Sequence, residues 1–336
     1  MSIAIQEKPL SDKEMVAEAE RALADISRVR DGVGRVIFGQ ENVVERTLVA
    51  LLAGGHALLV GVPGLAKTKL VETLGIVLGL DSRRIQFTPD LMPSDILGSE
   101  VMEQTEAGKR SFRFIPGPIF AQLLMADEIN RASPRTQSAL LQSMQEKHVT
   151  VAGKRYDLPA PFHVLATQNP LEQEGTYPLP EAQLDRFLLQ VDVGYPDEAA
   201  EREIMIQTTS ANVPVATQAL TPTDLMAAQA LVRRLPIGQS VVDAILKLVR
   251  AGRPETSDLD VVRQRVAWGP GPRASQAFML AARARAIIQG RLAPSVDDVV
   301  ALAGPILRHR MAVNFSARAE GVTVETVIAQ MCARIA

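Results

Sequence analysis

The sequence predicts an α/β fold in which a parallel sheet has helices on both faces, followed by an all-helical domain. Short apolar runs that end in glycine or polar residues recur through the first part of the chain, and helical patterns lie between several of them. Alternating strands and helices are typical of parallel sheets. From about residue 197 periodic helical stretches dominate. We therefore place the α/β core, with an N-terminal helix, at residues 1–210 and the helical domain at residues 211–336.

The composition is that of a globular protein and excludes several classes of function. Of the 336 residues 47% are hydrophobic and 22% charged, which argues against a mainly disordered chain. Thirty-six basic and 38 acidic residues give a net charge of −2, so no strong positive field favours a nucleic-acid partner. The single cysteine, Cys332, excludes an intrachain disulfide and a thiolate metal cluster, and the scattered histidines argue against structural zinc.

One segment is long enough to cross a bilayer. Thr47 to Ala66 runs for twenty residues without a charge. Gly54, Gly55 and His56 interrupt it, however, and we interpret it as a helix, a turn, a buried strand and a loop. Because the N-terminus also lacks the pattern of a signal peptide, we expect a cytoplasmic protein without a membrane span.

The elements of the core follow from capping residues and periodicity. Ser11 and Glu14 form a capping box that opens the N-terminal helix, and a second helix is predicted over residues 41–53. The predicted buried strands are Ala57–Gly61, Ile85–Thr88, Leu123–Asp127, Val164–Thr167 and Phe187–Val191. The later helices are predicted at 198–209, 222–234, 239–251, 272–289 and 295–309.

Two pairs of short runs around glycine turns predict β-hairpins inserted in the core. The first pairs Val101–Glu103 with Ser111–Phe114 around residues 106–109. The second pairs His148–Val151 with Tyr156–Leu158 around Ala152, Gly153, Lys154 and Arg155.

A candidate phosphate-binding loop follows the first predicted strand and precedes a helical pattern, which is the context that such a loop requires. Its residues are Gly61, Val62, Pro63, Gly64, Leu65, Ala66, Lys67 and Thr68. Lys67 would reach the β- and γ-phosphates of a nucleotide, and the Thr68 hydroxyl would bind Mg²⁺. Ala66 stands where the general pattern has its last glycine, and we expect its methyl group to be tolerated only if φ is negative there. The alternative is a glycine-rich turn beside an unrelated lysine.

Polar residues end two later strands. Asp127 and Glu128 follow the apolar run at 123–126, as in a Walker B motif, where Asp127 would hold the Mg²⁺ and Glu128 would polarise the attacking water. Asn169 ends another buried run and could hydrogen-bond the same water or the γ-phosphate. Taken alone, Asn169 would be a turn residue before Pro170. The three motifs in this order predict an ATPase.

These motifs resemble those of the AAA+ ATPases, and within them the MoxR family, over about residues 30 to 315. The resemblance rests on FGQ (38–40), GVPGLAKT (61–68), QFTPDLMPSDILG (86–98), GPIFAQLLMADEINRA (117–132), ATQNP (166–170), EAQLDRF (181–187), GYP (194–196) and GPGPRA (269–274). The family commonly carries an alanine before the loop lysine, so Ala66 agrees with the assignment. The resemblance implies a P-loop core with β-hairpin insertions and a helical lid domain.

The resemblance also implies roles for residues outside the phosphate loop. Asn169 looks like sensor 1, Arg186 like the arginine finger that reaches a neighbouring subunit's nucleotide, and Arg273 like sensor 2. The alternatives are a surface arginine paired with Asp185 for Arg186, and a residue on a solvated helix face for Arg273. Whether Arg273 acts on its own nucleotide or a neighbour's stays open.

Gln40 and Tyr195 are candidates for the adenine pocket on the same resemblance. The family segment around Gln40 lies near the adenine, and Tyr195 could line the same pocket. The alternative for both residues is packing in the core.

The resemblance also implies the clade of AAA+ ATPases that carries an insertion in helix 2, and in that clade such hairpins face a central pore. The alternative is that the two hairpins are ordinary loops at subunit contacts. The resemblance implies a hexameric homo-oligomer that binds ATP and Mg²⁺. ATP would bridge the core and the helical domain, and hydrolysis would change the angle between them.

Three functions compete. The preferred one is chaperone-like remodelling or maturation of protein partners, driven by ATP hydrolysis. The resemblance implies a von Willebrand A domain protein as a partner, and we do not expect a nucleic-acid partner. A DNA motor of the helicase type is the alternative, favoured only by Lys154 and Arg155 at a hairpin tip. A P-loop kinase of small molecules would not need Asn169, Arg186 or Arg273.

Overall fold

The computed structural model describes residues 12–104, 110–172, 175–210 and 214–335, with side chains from residue 17 onward. The elements up to residue 210 are α1 (Asp12–Gly34), α2 (Glu41–Leu52), β1 (Ala57–Val60), α3 (Lys67–Val77), β2 (Ser82–Gln86), α4 (Pro93–Leu97), β3 (Gly98–Gln104), β4 (Arg110–Pro116), β5 (Leu123–Asp127), α5 (Pro134–Glu146), β6 (His148–Val151), β7 (Lys154–Asp157), β8 (His163–Gln168), α6 (Glu181–Leu184), β9 (Leu189–Asp192) and α7 (Glu198–Thr208). The later elements are α8 (Pro222–Arg234), α9 (Gln239–Ala251), α10 (Asp260–Arg265), β10 (Val266–Trp268), α11 (Pro272–Ile288), α12 (Val296–Leu307), β11 (Ala312–Val313), α13 (Phe315–Ala319) and α14 (Val324–Cys332).

The core is a parallel sheet of five strands in the order β2-β5-β8-β1-β9, so the predicted α/β class is confirmed. Successive residues of β1 point to opposite faces, and both faces are covered. Leu59 packs into one hydrophobic cluster, whereas Leu58 packs into a second one with Phe87 and Phe187. The carboxyl ends of β1, β5 and β8 meet at one edge of the sheet, which is where ligands bind in open α/β sheets.

Two strands differ from their predicted bounds. Strand β2 covers residues 82–86 rather than 85–88, and within it only Ile85 is buried, because β2 lies at the edge of the sheet. Strand β9 begins at Leu189 rather than Phe187. The other three predicted buried strands agree with the prediction to within one residue at each end.

The charge-free segment from Thr47 to Ala66 is divided as predicted. It contains the end of α2, a turn, strand β1 and the loop before α3. In the described part of the chain, no helix combines the length and the apolar character that a membrane span requires. Helix α1 begins at Asp12, and the predicted capping box at Ser11 and Glu14 lies outside the residues whose side chains are described.

The C-terminal part is helical, but it is not all-helical as predicted. The five predicted helices are present as α7, α8, α9, α11 and α12, each within two residues of its expected ends. Strands β10 and β11 pair antiparallel, with Val266 opposite Val313. These strands have three and two residues, too few to show an alternating pattern in the sequence. Helices α10, α13 and α14 were not predicted either.

Both predicted hairpins are present and they contact each other. Strands β3 and β4 pair with Val101 opposite Arg113, while their connecting turn lies outside the described residues. Strands β6 and β7 pair up to Val151 and Lys154, so the second turn is shorter than predicted and consists of Ala152 and Gly153. Both turn residues have positive φ, 48° and 78°, as in a type I′ turn.

The helical part packs directly on the core. One continuous hydrophobic cluster includes Leu48 of α2, Val191 of β9, Phe278 of α11 and Leu302 of α12. Polar contacts join the same elements: the Gln229 side-chain amide donates to the Leu51 carbonyl over 2.8 Å, and Arg285 pairs with Glu45. The boundary between residues 210 and 211 stays a prediction.

Candidate nucleotide site

The loop between β1 and α3 borders a cavity of about 400 Å³ at the carboxyl edge of the sheet. Three motifs predicted separately from the sequence meet there: the glycine-rich loop, the carboxylates after β5 and the asparagine after β8. The lining residues are Pro63, Gly64, Leu65, Ala66, Lys67, Thr68, Lys69, Asp127, Glu128, Thr167 and Asn169. The alternative of an isolated glycine-rich turn therefore loses its basis.

The expectation of a negative φ at Ala66 is wrong. Ala66 has φ 56° and ψ 20°, in the left-handed region, and it immediately precedes helix α3. A left-handed conformation costs an L-residue roughly 1–2 kcal/mol. Ala66 is exposed, so its methyl group does not clash with neighbouring atoms, and the energetic cost comes from the backbone conformation alone. Gly64 has φ 84°, and no atom lies within 4 Å of a Cβ added there. A side chain would therefore fit at Gly64, and it is the left-handed backbone that favours glycine.

Lys67 is the first residue of α3 and its side chain turns back over the loop. Its Nζ donates to the carbonyl oxygens of Gly61 and Val62, both over 2.7 Å. Partial burial lowers the pKa of the Lys67 ammonium, and the carboxylates of Asp127 and Glu128 oppose that shift. The ammonium therefore lies in the electrostatic field of both carboxylates, on the cavity that a phosphate chain would enter.

Asp127 is buried at the end of β5 and both its oxygens are engaged. Thr167 donates its hydroxyl to Oδ1, and Arg84 on the neighbouring strand β2 donates to Oδ2 from Nη2 over 2.6 Å and from Nε over 3.1 Å. Thr68 lines the same cavity. A hydroxyl and a carboxylate form an oxygen-only donor set, which suits Mg²⁺, and a carboxylate retains further lone pairs beyond these two bonds. These residues therefore fit the predicted metal ion.

Glu128 is held in a strained conformation by three partners. Its backbone has φ 55°, and its amide donates to the Thr167 hydroxyl over 2.8 Å. Carboxylate oxygen Oε2 accepts from Gln86 Nε2 over 2.7 Å and from Arg131 Nη1 over 3.0 Å. A sparsely populated backbone conformation persists when its surroundings determine it, and such residues concentrate at functional sites.

Asn169 is both a turn residue and a residue of the loop cavity, the two roles that the sequence left open. Its side-chain Oδ1 accepts from the Leu171 amide over 3.1 Å, which forms the expected turn around Pro170. The residue is buried and also lines the loop cavity. The turn therefore fixes the side chain where it borders the candidate nucleotide site.

The two candidates for the adenine pocket behave differently. Gln40 is buried; its Nε2 donates to the Leu65 carbonyl over 3.3 Å, and its Oε1 has no hydrogen-bond partner among the described residues. The neighbouring Gly39 packs against the start of α7, so that a Cβ added there would lie only 2.1 Å from the Cβ of Ala200. Its φ is 65°. Tyr195 is 76% exposed, so core packing is excluded for it.

Arg186 and Arg273 lie together in a second cavity, of about 270 Å³. Its lining residues are Gly55, His56, Met144, Gln145, Asp185, Arg186, Leu188, Arg273, Gln276, Ala277, Leu280 and Arg310. None of them lines the loop cavity, so the structure does not bring either arginine to the phosphate loop of its own chain. All described residues that line the loop cavity belong to the core, and the bridging of core and helical domain by ATP stays a prediction.

Asp185 does not pair with Arg186 in the way the alternative supposed. The Asp185 carboxylate accepts from Arg310 over 2.7 Å and lies 3.7 Å from the Arg273 guanidinium. The Nε of Arg186 is buried with no hydrogen-bond partner in the described part of the chain. Arg273 is the second residue of α11, as predicted, with its side chain 46% exposed.

Several residues that line these cavities or contact their carboxylates were missed by sequence reasoning. Arg84 and Gln86 are two residues apart on β2, so their side chains point to the same side of the strand. That this side adjoins Asp127 and Glu128 is evident only once the strand order is known. Arg131 and Thr167 stand within or beside quoted motifs but have no distinguishing pattern of their own. Arg310 is almost completely buried, and no local feature of the sequence predicts that for an arginine.

Comparisons with known proteins agree with this geometry. The family model described as the ATPase family associated with various cellular activities matches residues 56–189, and the model of its lid domain matches residues 260–331. Chaperone MoxR1 of Mycobacterium tuberculosis is 45% identical over 305 residues, which cover 90% of this chain and 80% of that protein. Protein MoxR of Paracoccus denitrificans is 30% identical over 85% of this chain and 88% of its own length.

A solved structure extends the agreement to the fold. The crystal structure of a candidate ATPase from Cytophaga hutchinsonii superposes with a TM-score of 0.87 at 38% identity, over 95% of this chain and 96% of that one. The likeness covers both the core and the helical part that follows it. The chain belongs to the MoxR family of AAA+ ATPases.

Proposed function

We propose that the protein hydrolyses ATP in the presence of Mg²⁺ as a closed ring of identical subunits, and that the ring remodels or matures protein partners. One observation carries the proposal. The residues that could bind a nucleotide and the two arginines expected to act on it line separate cavities of the same chain. Both sets can act on one nucleotide only if the arginine cavity of one subunit faces the loop cavity of the next.

The loop cavity would supply binding and water activation. Its backbone amides and Lys67 would hold the phosphates, because amides at the start of a helix favour anions. Thr68 and Asp127 would hold Mg²⁺, which when bound neutralises charge on the phosphate oxygens. Glu128 would take the proton of the attacking water, and Asn169 would orient that water.

The arginine cavity would supply charge stabilisation to the neighbouring site. Arg186 and Arg273 would approach the γ-phosphate across the interface, where charge increases as the bond to the leaving group breaks. A contact of this kind is heterologous, with different surfaces on the two subunits, and such contacts form closed rings when their rotation closes. The family implies six subunits.

The protein-remodelling role is supported by the name of a relative, Chaperone MoxR1. A von Willebrand A domain protein is the expected partner on the family resemblance. The DNA motor is less well supported, because Lys154 pairs with Glu100 over 3.4 Å and Arg155 pairs with Asp157 over 2.8 Å, which partly offsets the positive charge of the hairpin tip.

The substitution Arg186→Ala tests the ring. It should leave ATP affinity nearly intact while slowing hydrolysis by roughly 10³–10⁵-fold, the range known for arginine fingers. ATP binding by calorimetry and steady-state phosphate release measure the two effects separately. Arg263→Ala is the matched control, since Arg263 is an exposed arginine that pairs with Asp260 inside α10.

Mixed rings make the test sharper. Arg186→Ala subunits keep an intact loop, whereas Lys67→Ala subunits keep an intact arginine, and each variant is inactive alone. In rings assembled at random from equal amounts, about a quarter of the interfaces would join an intact loop to an intact arginine. Activity should therefore return on mixing. If mixed rings form and stay inactive at every ratio, Arg186 does not act on a neighbouring subunit.

A further inference from the structure

Arg310 makes an unusual set of contacts with the loop that carries Arg186. Its side chain is 2% exposed and follows α12, in the helical part of the chain. Nε donates to the Asp185 carboxylate over 2.7 Å, and Nη1 donates to the carbonyls of Leu188 over 3.1 Å and Ile306 over 2.7 Å. Nη2 donates to the carbonyls of Phe187 over 2.7 Å and Asp185 over 3.3 Å.

All five N–H donors of this guanidinium are therefore used. A cation so deeply buried is stable only when it is paired and fully hydrogen-bonded. A lysine has one nitrogen and three donors, so it could not serve a carboxylate and four carbonyls arranged around a planar fork. The geometry is specific for arginine.

The accepting groups surround Arg186 on both sides. The carbonyls of Asp185 and Phe187, which flank Arg186 in the chain, bind the same Nη2 of Arg310. His309 Nε2 lies 3.1 Å from the Phe187 carbonyl as well, as a second contact from the helical part. The backbone is thus held at the peptide group that precedes Arg186 and at the peptide group that follows Phe187. The Nε of Arg186 itself has no partner among the described residues.

Asp185 extends this arrangement to the second arginine. One carboxylate oxygen accepts from Arg310, and the other lies 3.7 Å from Nη1 of Arg273. The Asp185 carboxylate therefore joins the loop of the core to the first turn of α11. Arg310 sets the position of Arg186 through the backbone and that of Arg273 through Asp185.

We infer that Arg310 is a positioning residue that holds Arg186 and Arg273 in one fixed arrangement toward the neighbouring subunit's nucleotide. The inference rests on the proposed function, since it assumes that these arginines act across an interface. A misplacement of about 1 Å in a catalytic group can cost about 10²-fold in rate. Loss of Arg310 should act on the rate of hydrolysis and leave its own subunit's loop cavity unaffected.

The experiment measures kcat and KM for ATP in Arg310→Ala, at a temperature below the melting transition of the variant. We expect kcat to fall by at least about tenfold, toward about 10²-fold, and KM to change by less than about threefold. Arg308→Ala is the matched control, because Arg308 lies in the same turn but pairs with Asp192 and Glu325 instead of the 185–188 loop. Its kcat should stay within about twofold of the parent value.

Two further readouts separate positioning from a general loss of structure. Arg310→Ala subunits mixed with Lys67→Ala subunits should regain activity, because the intact loop of the first is then served by the intact arginines of the second. Guanidinium chloride at low millimolar concentration should partly restore the kcat of Arg310→Ala, and sodium chloride at equal ionic strength should not. If Arg310→Ala does not fold, Arg310→Lys is measured in the same way, and a kcat loss below threefold in that variant overturns the inference.

The outcomes distinguish this inference from the proposed function. If Arg186→Ala is inactive and rescued on mixing but Arg310→Ala keeps its kcat, only the positioning role is overturned. A parallel loss of ATP affinity and kcat in Arg310→Ala, without rescue on mixing, also overturns it and marks Arg310 as a structural residue. If Arg186→Ala itself shows no rescue, the proposed ring fails first.

Discussion

At the residue scale, Ala66 links the phosphate loop to helix α3 through a left-handed backbone. Replacing it with glycine removes a conformational cost of about 1–2 kcal/mol in the folded state. Glycine also increases the entropy of the unfolded chain, which offsets about 0.4–1 kcal/mol of that gain. For Ala66→Gly we therefore expect unchanged or slightly higher stability in urea unfolding, with ATP affinity retained. Ala66→Val, which adds a branched side chain at positive φ, should be clearly less stable; equal stability of all three proteins would contradict the assignment of strain.

Glu128 provides the test of water activation at the same scale. Glu128→Gln keeps the shape of the side chain but cannot accept a proton, so ATP should bind with near-normal affinity and be hydrolysed about 10²–10⁴-fold more slowly. Calorimetric titration and single-turnover phosphate release measure the two properties. Glu146→Gln is a suitable control, because Glu146 is a carboxylate at the end of α5, outside both cavities. A loss of turnover below tenfold in Glu128→Gln would identify another residue as the base.

At the element scale, the two hairpins form one unit. Phe114 of β4 stacks on Tyr156 of β7 with ring centroids 4.0 Å apart, and Lys154 pairs with Glu100 at the same junction. Aromatic pairs contribute about 0.5–1.5 kcal/mol beyond their buried area, whereas exposed ion pairs contribute about 0–1 kcal/mol. The aromatic contact should therefore dominate the association of the hairpins.

The substitution Tyr156→Ala tests this association. We expect faster proteolysis within the β3–β4 hairpin and little change in the global melting temperature, because both hairpins lie outside the five-stranded sheet. Lys154→Ala is the control and should leave the cleavage rate nearly unchanged. If Tyr156→Ala is cleaved no faster than the control, the hairpins are stable independently of each other.

At the scale of the whole molecule, buried histidines make stability depend on pH. Burial lowers the pKa of His56 to about 3, with a further contribution from the nearby His163. Burial also lowers the pKa of His163 to about 4. The His56 Nδ1 accepts from the Val164 amide over 2.9 Å, and a proton on that nitrogen would break the bond. Both side chains are therefore neutral in the folded protein at neutral pH.

The direction of the effect follows from these values. The unfolded histidines titrate near 6.5, so their contribution to stability is complete above that pH and declines as the pH falls toward about 4 and 3. Below about pH 6, each should reduce the free energy of unfolding by roughly 1.4 kcal/mol per pH unit. Urea unfolding between neutral and moderately acidic pH measures the slope. His163→Gln should reduce this slope by the contribution of one histidine. An unchanged slope would show that His163 does not cause the pH dependence.

The relation between the two parts of the chain also belongs to this scale. The shared hydrophobic cluster and the pairs formed by Arg285 and Arg310 join the helical part to the core at several separate points. These contacts oppose a large change of angle between the two parts of the chain. The arginine cavity is built from both parts, with Arg186 from the core and Arg273 from α11.

Local patterns in the sequence were sufficient to locate the five strands of the main sheet, the main helices, both hairpins and the three motifs of the loop cavity. Each of these depends on residues close together in the chain: an apolar run sets a buried strand, and glycines with a following lysine set the loop. Because parallel strands place their carboxyl ends at one edge, Lys67, Asp127 and Asn169 could be expected to meet once the strands were recognised.

Only the tertiary structure decided the properties that depend on distant segments. Apart from Arg131, which is close to Glu128 in the chain, the partners described for Asp127, Glu128 and Asp185 come from a neighbouring strand or from the helical part. Strand order and domain packing determine them. The left-handed φ of Ala66 follows from how β1 and α3 are joined in space, and the short pairing of β10 with β11 joins segments more than forty residues apart. The separation of Arg186 and Arg273 from their own phosphate loop arises in the same way, since burial and long-range contacts are set by the packing of the whole chain and leave no local periodicity in the sequence.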